Sequence, residues 1–513
     1  MSSRVNLNSD REIARMNALK QNSDAVNMVA AAVESTLGPK GLDTMLVGEH
    51  DEVLVTNDGV TILDKMEMHH PAARMISHVA KAQQQEMGDG TTTSTILAAA
   101  IVDEGVKQAM RGVPIIKVIE GVRRGVRFAL NKMKEKAQPI YSLDDDWLQR
   151  IAFTASRENE DITLSVIEAV HLLGREKLLE SGFKLSDTVL AHPQTESNVV
   201  AGLLIDRSEL SAHVPTLGDE IRVLTLADNL EPEYIEELAK GTDAGFAKQE
   251  QLKEEFYVAL EHLIHLQVGL IVTSGHVDPH AEEVLMDAGM MIIQRVNAND
   301  LKKLSEHTGS RLMKKSGLFK PLEELEKTLG QCQEVEDVDF LNRVRVSGGA
   351  GKPFATILVG AATTDTVQER ERICKDAASA VQAAIRGGYV PGGGAVELSL
   401  ARELEQFREK VQGSERFGVS AVVEALQRPM SQIIINAGFN VLEKVENVKT
   451  MQVKKQSSSL GIDCDRGVVA DMVEMGVVDP LLVKYHALRA AGEVSCAILR
   501  IHNVVSMKKE ANK

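Results

Sequence analysis

The chain has 513 residues, too many for one hydrophobic core, so about two to four domains are expected from length alone. With 43% hydrophobic and 26% charged residues, and no apolar run of bilayer length, it reads as a soluble globular protein and not a membrane protein. A formal net charge of -16 disfavours nucleic acid as a partner, and an aromatic content of 3% leaves few stacking platforms for single strands or sugars.

The polar start, Met1 to Asp10, lacks a basic segment followed by an apolar one, so no secretory signal is expected and residence is cytoplasmic. Ser23 is positioned to cap a helix carrying Val26, Val29 and Val33, which Gly38-Pro39 ends. Met45 to Val47 and Glu52 to Val55 have strand character with a turn between them, and Thr56-Asn57-Asp58-Gly59 breaks the pattern before Ile62-Leu63. Apolar residues then recur every three or four positions from Thr91 to about Arg111 and from Ile116 to about Lys136, predicting two long helices joined at Gly112-Val113-Pro114. Arg123, Arg124, Arg127, Lys132, Lys134 and Lys136 make a basic run on the second helix, read as a solvated face or subunit contact.

The middle differs. Gly202 to Ile205, Ile221 to Leu226, Gly269 to Thr273 and Met291 to Ile293 are short apolar strands alternating with helical patterns, the mark of an α/β layer. After about Gly360 the helical pattern returns, is broken by Gly387-Gly388 and Gly392-Gly393-Gly394, and resumes with little strand signal. Helical ends around an α/β middle predict a domain built from both termini with the middle inserted. Cys332, Cys374, Cys464 and Cys496 form no CxxC pair and read as core or incidental thiols. His262, His265, His276 and His280 lack metal-ligand spacing, and Ser94, Ser274 and Ser310 have no GxSxG elbow.

Chemistry concentrates in glycine-bearing turns. Gly88-Asp89-Gly90-Thr91-Thr92-Thr93 opens a helix, so free N–H groups, the positive helix end and three hydroxyls converge on a volume suited to phosphate. Asp89 beside that anion calls for Mg²⁺ between them, because a hard cation takes carboxylate and phosphate oxygens together. A glycine turn before a threonine N-cap explains the same residues without a ligand. Thr36-Leu37-Gly38-Pro39-Lys40-Gly41, Thr56-Asn57-Asp58-Gly59 and Pro391-Gly392-Gly393-Gly394-Ala395 are further turns where backbone can approach a ligand. None is GxxxxGK[ST], nor GxGxxG after a strand, so both common nucleotide folds are disfavoured. Phosphoryl transfer to water needs a held metal, a phosphate cradle and a carboxylate that orients the water; Asp58 and Asp89 with one further acid can fill these roles.

The ordered motifs TLGPKG, TNDG, GDGTTT, Lys375-Asp376-Ala377 and PGGGA, with Gly461-Ile462-Asp463 and Gly476-Val477-Val478-Asp479-Pro480, resemble the chaperonin family over nearly the whole chain. The resemblance implies an ATPase coupled to protein folding, with ATP and Mg²⁺ as cofactors. Thr36, Leu37, Gly38 and Pro39, together with Asn57 and with Gly88, Asp89, Gly90, Thr91, Thr92 and Thr93, would line the nucleotide, Asp89 holding Mg²⁺. Asp58 and Asp376 would orient and activate the attacking water. Gly393 would lie against the nucleoside, Asp479 would reach the ribose and Asp463 would lie close to the base.

The same resemblance implies a multidomain α and α/β fold. A discontinuous, helix-rich equatorial domain would comprise 1–142 and 388–513, and an intermediate hinge domain 143–201 and 360–387. The inserted α/β apical domain would be 202–359, with a helical protrusion at about 231–266. That protrusion resembles the built-in lid of thermosome-like, group II chaperonins, so no separate lid co-chaperonin is expected, and a divergent bacterial (group III) branch fits. Partners would be non-native client proteins and further copies in paired rings, without nucleic acid or membrane. Many archaeal relatives carry a phosphate-sensing lysine in the stretch matching Thr154 to Asn159, where Arg157 is the candidate substitute. Phe246, Phe256 and Tyr257 are candidates for lid contacts, and Val284, Leu285, Met286, Leu301 and Leu304 for client contacts. A small-molecule ATPase of unusual fold and a non-catalytic ring scaffold remain the alternatives.

Overall fold

A computed structural model describes residues 2–48, 53–193, 195–206, 217–234, 243–361 and 363–501. The chain divides into two compact units, one of residues 1–163, 184–186 and 375–513, the other of 164–183 and 187–374. The boundaries fall inside two helices, Glu160–Leu179 and Thr364–Gly387.

The first unit is built on the helix Thr91–Met110, buried on nearly every side from Thr91 to Ala109. A helix apolar all round must be enclosed, and here Ser2–Glu34, Pro71–Met87, Glu415–Asn436 and Leu481–Arg500 pack against it. Ala98, Ile101 and Val102 at its centre are inaccessible to solvent. Ile115–Lys136 crosses Glu415–Asn436 through two glycines: a Cβ on Gly121 would stand 2.0 Å from the carbonyl oxygen of Glu415, and one on Gly418 2.0 Å from that of Val118. Only glycine allows the two backbones to approach so closely.

The first helix does not begin at Ser23. It runs Ser2–Glu34, and the Ser23 hydroxyl donates to Asp103 Oδ1 at 3.3 Å, so a residue read as a cap ties two helices together mid-span. The expected hairpin forms from Thr44–Val47 and Val53–Thr56, antiparallel with Met45 opposite Val55. The basic run is largely paired within the unit: Arg124 meets Glu415, Lys132 meets Glu135, Lys136 meets Glu403, and Lys134 lies over the Tyr485 ring. The C-terminal part holds more strand than its pattern predicts. Tyr389–Pro391 pairs with Val478–Pro480, and Leu460–Asp463 with Val468–Asp471. These strands have three or four residues, too short to show a period of two.

The second unit contains a six-stranded mixed sheet in the order Leu203–Asp206, Arg343–Ser347, Gly330–Val338, Leu217–Leu226, Val268–Thr273, Met291–Ile293. Alternation along its strands builds two cores. Val223, Leu270 and Val272 join Leu301 and Leu304 of the helix Ala298–Thr308. Leu224, Leu226 and Ile271 join Phe256, Leu260 and Leu285. The client candidates Leu285, Leu301 and Leu304 are therefore core, as the sheet needs an apolar cover on each face, whereas Val284 and Met286 are half-buried.

The helix Asp243–His265 has two characters. Phe256, Ala259, Leu260 and Leu263 recur at helical spacing and are buried, while the part before Phe256 is mostly exposed, with Phe246 64% exposed. Phe256 is thus a core residue and not a lid contact, since it fills the space under the helix's inner half. Residues 235–242 of the expected protrusion lie outside the described residues. Cys332, Cys374 and Cys496 are buried and Cys464 half-buried, all as free thiols. Among the described residues no helix is long and apolar enough to cross a membrane.

Candidate functional site

Two left-handed glycines make the turn at the head of the central helix. Gly88, at φ 71°, ends the helix Pro71–Met87, and Gly90, at φ 80°, caps Thr91–Met110. Because that cap is glycine, no side chain offers an acceptor to the first-turn N–H groups, the arrangement an anion exploits. Both positions are also crowded. A Cβ on Gly88 would lie 2.2 Å from Ser379 Oγ, and one on Gly90 2.8 Å from Val483 Cγ1. Buried Gln83 fixes the peptide between them: its Nε2 donates to the carbonyl of Asp89 at 2.7 Å and to that of Val483 at 3.2 Å, while its Oε1 lies 2.7 Å from His486 Nδ1.

Two other predicted turns come to this helix start. Thr36 Oγ1 lies 3.4 Å from Thr92 Oγ1. A Cβ on Gly59 would stand 2.7 Å from Thr92 Oγ1 and 3.2 Å from Thr91 Oγ1, which places the Asn57-Asp58-Gly59 turn against the threonines. Asp58 caps the helix Gly59–Lys65, its Oδ2 accepting from the Thr61 N–H at 2.9 Å and from the Thr61 hydroxyl at 2.6 Å. The neighbouring Asn57 Oδ1 is buried without a hydrogen-bond partner, which marks a place where a donor or cation is wanted. Asn436 holds the Thr36 to Pro39 loop, its Nδ2 donating to the carbonyls of Glu34 and Leu37 at 2.9 and 2.8 Å; a Cβ on Gly38 would meet Ile433 at 3.0 Å. Thr91 and Thr93 are buried and Thr92 half-buried.

Asp376 reaches the same region from the helix Thr364–Gly387. Its Oδ1 accepts from Gln84 Nε2 at 3.4 Å, and one turn later Ser379 packs on Gly88. On another side, the pairing of Val390 with Asp479 sets the Asp479 carboxylate beside Gly392, where a Cβ would come 3.1 Å from its Oδ2. Gly393, at φ 61°, lies against Met472 and Val477. Asp463 ends the strand Leu460–Asp463. Its Oδ1 accepts from the N–H groups of Asp465 and Arg466, and the Lys40–Asp465 ion pair at 2.6 Å joins that turn to the Thr36 to Gly41 loop.

Burial holds the Asp89 carboxyl above the usual carboxylate range, and the charge of Asp479 adds to this. The Gly90 N–H, Lys484 and Arg157 pull it back. A buried carboxyl raised in this way, beside uncapped N–H groups, forms a donor set suited to a hard cation shared with an anion. Arg157 bears electrostatically on Asp89 and sits with Glu158 in left-handed backbone, at φ 55° and 63°. Such strain in non-glycine residues concentrates at functional sites.

Sequence reasoning missed the residues that hold the site rather than line it: Gln83, Gln84, Ser379, Asn436, Glu397 and Lys484. Each stands on a helix whose local sequence gives no sign of its distant partner, 87 positions away for Glu397 with Lys484 and 403 for Gln83 with His486. Only Lys484, five residues after the Val478-Asp479 strand in an otherwise apolar helix start, offered a visible anomaly.

Comparison with known proteins gives a consistent result. The profile of the TCP-1/cpn60 chaperonin family matches residues 29–509. A thermosome subunit of Methanocaldococcus jannaschii is 31% identical over 97% of this chain and 93% of that protein. The thermosome subunit alpha of Thermoplasma acidophilum is 31% identical over 96% of this chain and 92% of its own length. Among solved structures, a group III chaperonin crystallised in the open state is 42% identical, with a TM-score of 0.84 over 96% of this chain and 99% of that one.

Proposed function

This chain belongs to the TCP-1/cpn60 chaperonin family, and from that premise we propose that it is an ATP-hydrolysing chaperonin subunit, enclosing non-native proteins in a ring beneath a lid built into its own chain. The observation that carries the site reading is the convergence on Thr92, three residues after Asp89, of two separate segments, with Thr36 Oγ1 at 3.4 Å and Gly59 so close that a Cβ there would stand 2.7 Å from Thr92 Oγ1.

In this reading the first-turn N–H groups and the hydroxyls of Thr91, Thr92 and Thr93 receive the phosphate oxygens, and Thr36 to Pro39 close the cradle from the opposite side. Asp89 holds Mg²⁺, with the unpartnered Asn57 Oδ1 facing the same need for a positive neighbour. When bound, the cation supplies neutralisation of phosphate charge. Asp58 and Asp376 orient the attacking water and take its proton, Asp58 steadied by Thr61 and Asp376 by Gln84. Gly393 lets the nucleoside approach the backbone, Asp479 reaches the ribose, and Asp463 stands near the base.

The equatorial domain is 1–142 and 388–513, the intermediate domain 143–201 and 360–387, and the apical domain 202–359. Asp376 then belongs to the intermediate domain, so completing the site couples nucleotide to domain movement. The exposed outer half of Asp243–His265, with Phe246 at 64% exposure, fits a lid arm that gains its packing only on closure. The hairpin supports ring assembly. Met45, Val47, Val53 and Val55 are more than half exposed, and a bare apolar ribbon of this kind is a template for pairing with another copy. The subunit works in the cytoplasm, without nucleic acid or membrane.

Replacing Asp376 with alanine tests the assignment. Hydrolysis should fall by about 10²- to 10⁴-fold while nucleotide affinity changes little. Equal hydrolysis by the variant would remove Asp376 from the chemistry.

A further inference from the structure

The first turn of the last helix, Leu481–Arg500, carries a buried lysine between two acids from different segments. Lys484 Nζ lies 2.9 Å from Glu397 Oε1 and 2.9 Å from Asp479 Oδ2. The lysine side chain is 11% exposed, Glu397 2% and Asp479 29%. Among the described residues the Lys484 ammonium is the only partner found for the Glu397 carboxylate, and it supplies the compensating charge. Burial alone would depress the lysine, but Asp479 and Glu397 reverse that and hold it charged.

We propose that Lys484 is a positioning residue for nucleotide binding: anchored on its core side by Glu397, it fixes the Asp479 carboxylate in the orientation that meets the ribose. This rests on the reading of Asp479 as a nucleotide contact. Three features favour positioning over fold maintenance alone. The ammonium bridges the wholly buried acid to the only one of the pair that keeps solvent access. The space around Asp479 Oδ2 is kept open by Gly392, where any side chain would come within 3.1 Å. The same helix turn supplies the Val483 carbonyl and His486 that hold Gln83, and through it the Asp89 peptide, so the ribose side and the phosphate side share one support. Arginine at 484 would present a flat fork instead of a compact ammonium and would not reproduce this geometry.

Removing Lys484 alone leaves Glu397 buried and unpaired, which is strongly destabilising. The useful variant is therefore Lys484→Met with Glu397→Gln, which removes both charges together and is expected to fold. Affinity for ADP, measured by calorimetry on the assembled protein, should fall about tenfold in this double variant, and KM for ATP should rise in parallel with kcat nearly unchanged. Asp479→Asn should give a similar loss, and the triple variant no more than either, because a residue that acts through Asp479 has nothing further to remove. Losses that multiply in the triple variant, or wild-type affinity in the double variant while Asp479→Asn is impaired, overturn the positioning role and leave the Asp479 contact standing. Wild-type affinity in Asp479→Asn overturns both that contact and this inference, with the family ATPase activity unaffected.

Discussion

The two units solve different problems with different residues. In the first, position is set by glycine and by buried charge: Gly88, Gly90 and Gly392 bring backbone or carboxylate to distances that a Cβ would forbid, and Lys484 is held between two acids. In the second, position is set by apolar alternation across a sheet, and what is left exposed is a helical arm with a bare aromatic near its outer end. A nucleotide has a fixed shape and charge, so its site needs precise backbone. A non-native protein has neither, so a surface that meets one needs accessible apolar area rather than exact placement.

The sharpest way to break this contrast lies along one helix. Phe256→Ala should cost about 3–5 kcal/mol, read as a fall in the urea midpoint, because the ring is inaccessible to solvent. Phe246→Ala, ten residues earlier and exposed, should shift stability by less than about 0.5 kcal/mol yet weaken lid closure, seen as protease sensitivity of the arm in the presence of ATP. Equal stability losses at both positions would mean that the arm has no separate outer half. A smaller effect is expected in the first unit. Gly88→Ala must adopt φ near 71° and push on Ser379, at a cost of about 1–2 kcal/mol. Unlike Phe256→Ala, it should also slow hydrolysis, because Ser379 and Asp376 share a helix. A change in stability with no change in turnover would separate that helix from the chemistry.

The contrast also explains what was legible in the sequence. TLGPKG, TNDG, GDGTTT and PGGGA stand out because left-handed or crowded backbone admits glycine and little else, so the need is written at the position itself. Gln83 and Glu397 are buried beside them, but a side chain chosen for a partner 403 or 87 positions away leaves no local mark. In the second unit the four short apolar strands were readable from their runs. Gly330–Val338 was not, since exposed Gln331 and Gln333 and half-buried Glu334, Glu336 and Asp337 resemble a polar helix surface. Phe256 reads as a candidate lid contact because a helical arm has little core of its own to fill, and the sequence does not show where along the helix the core begins.

The central claim is a lid-bearing ring driven by ATP, and electron microscopy of the purified protein with and without ATP and Mg²⁺ tests it most directly. The prediction is open rings without nucleotide that close over their cavity when ATP and Mg²⁺ are added, with no other protein present. Particles that form no ring, or rings whose cavity stays open with ATP, would contradict it.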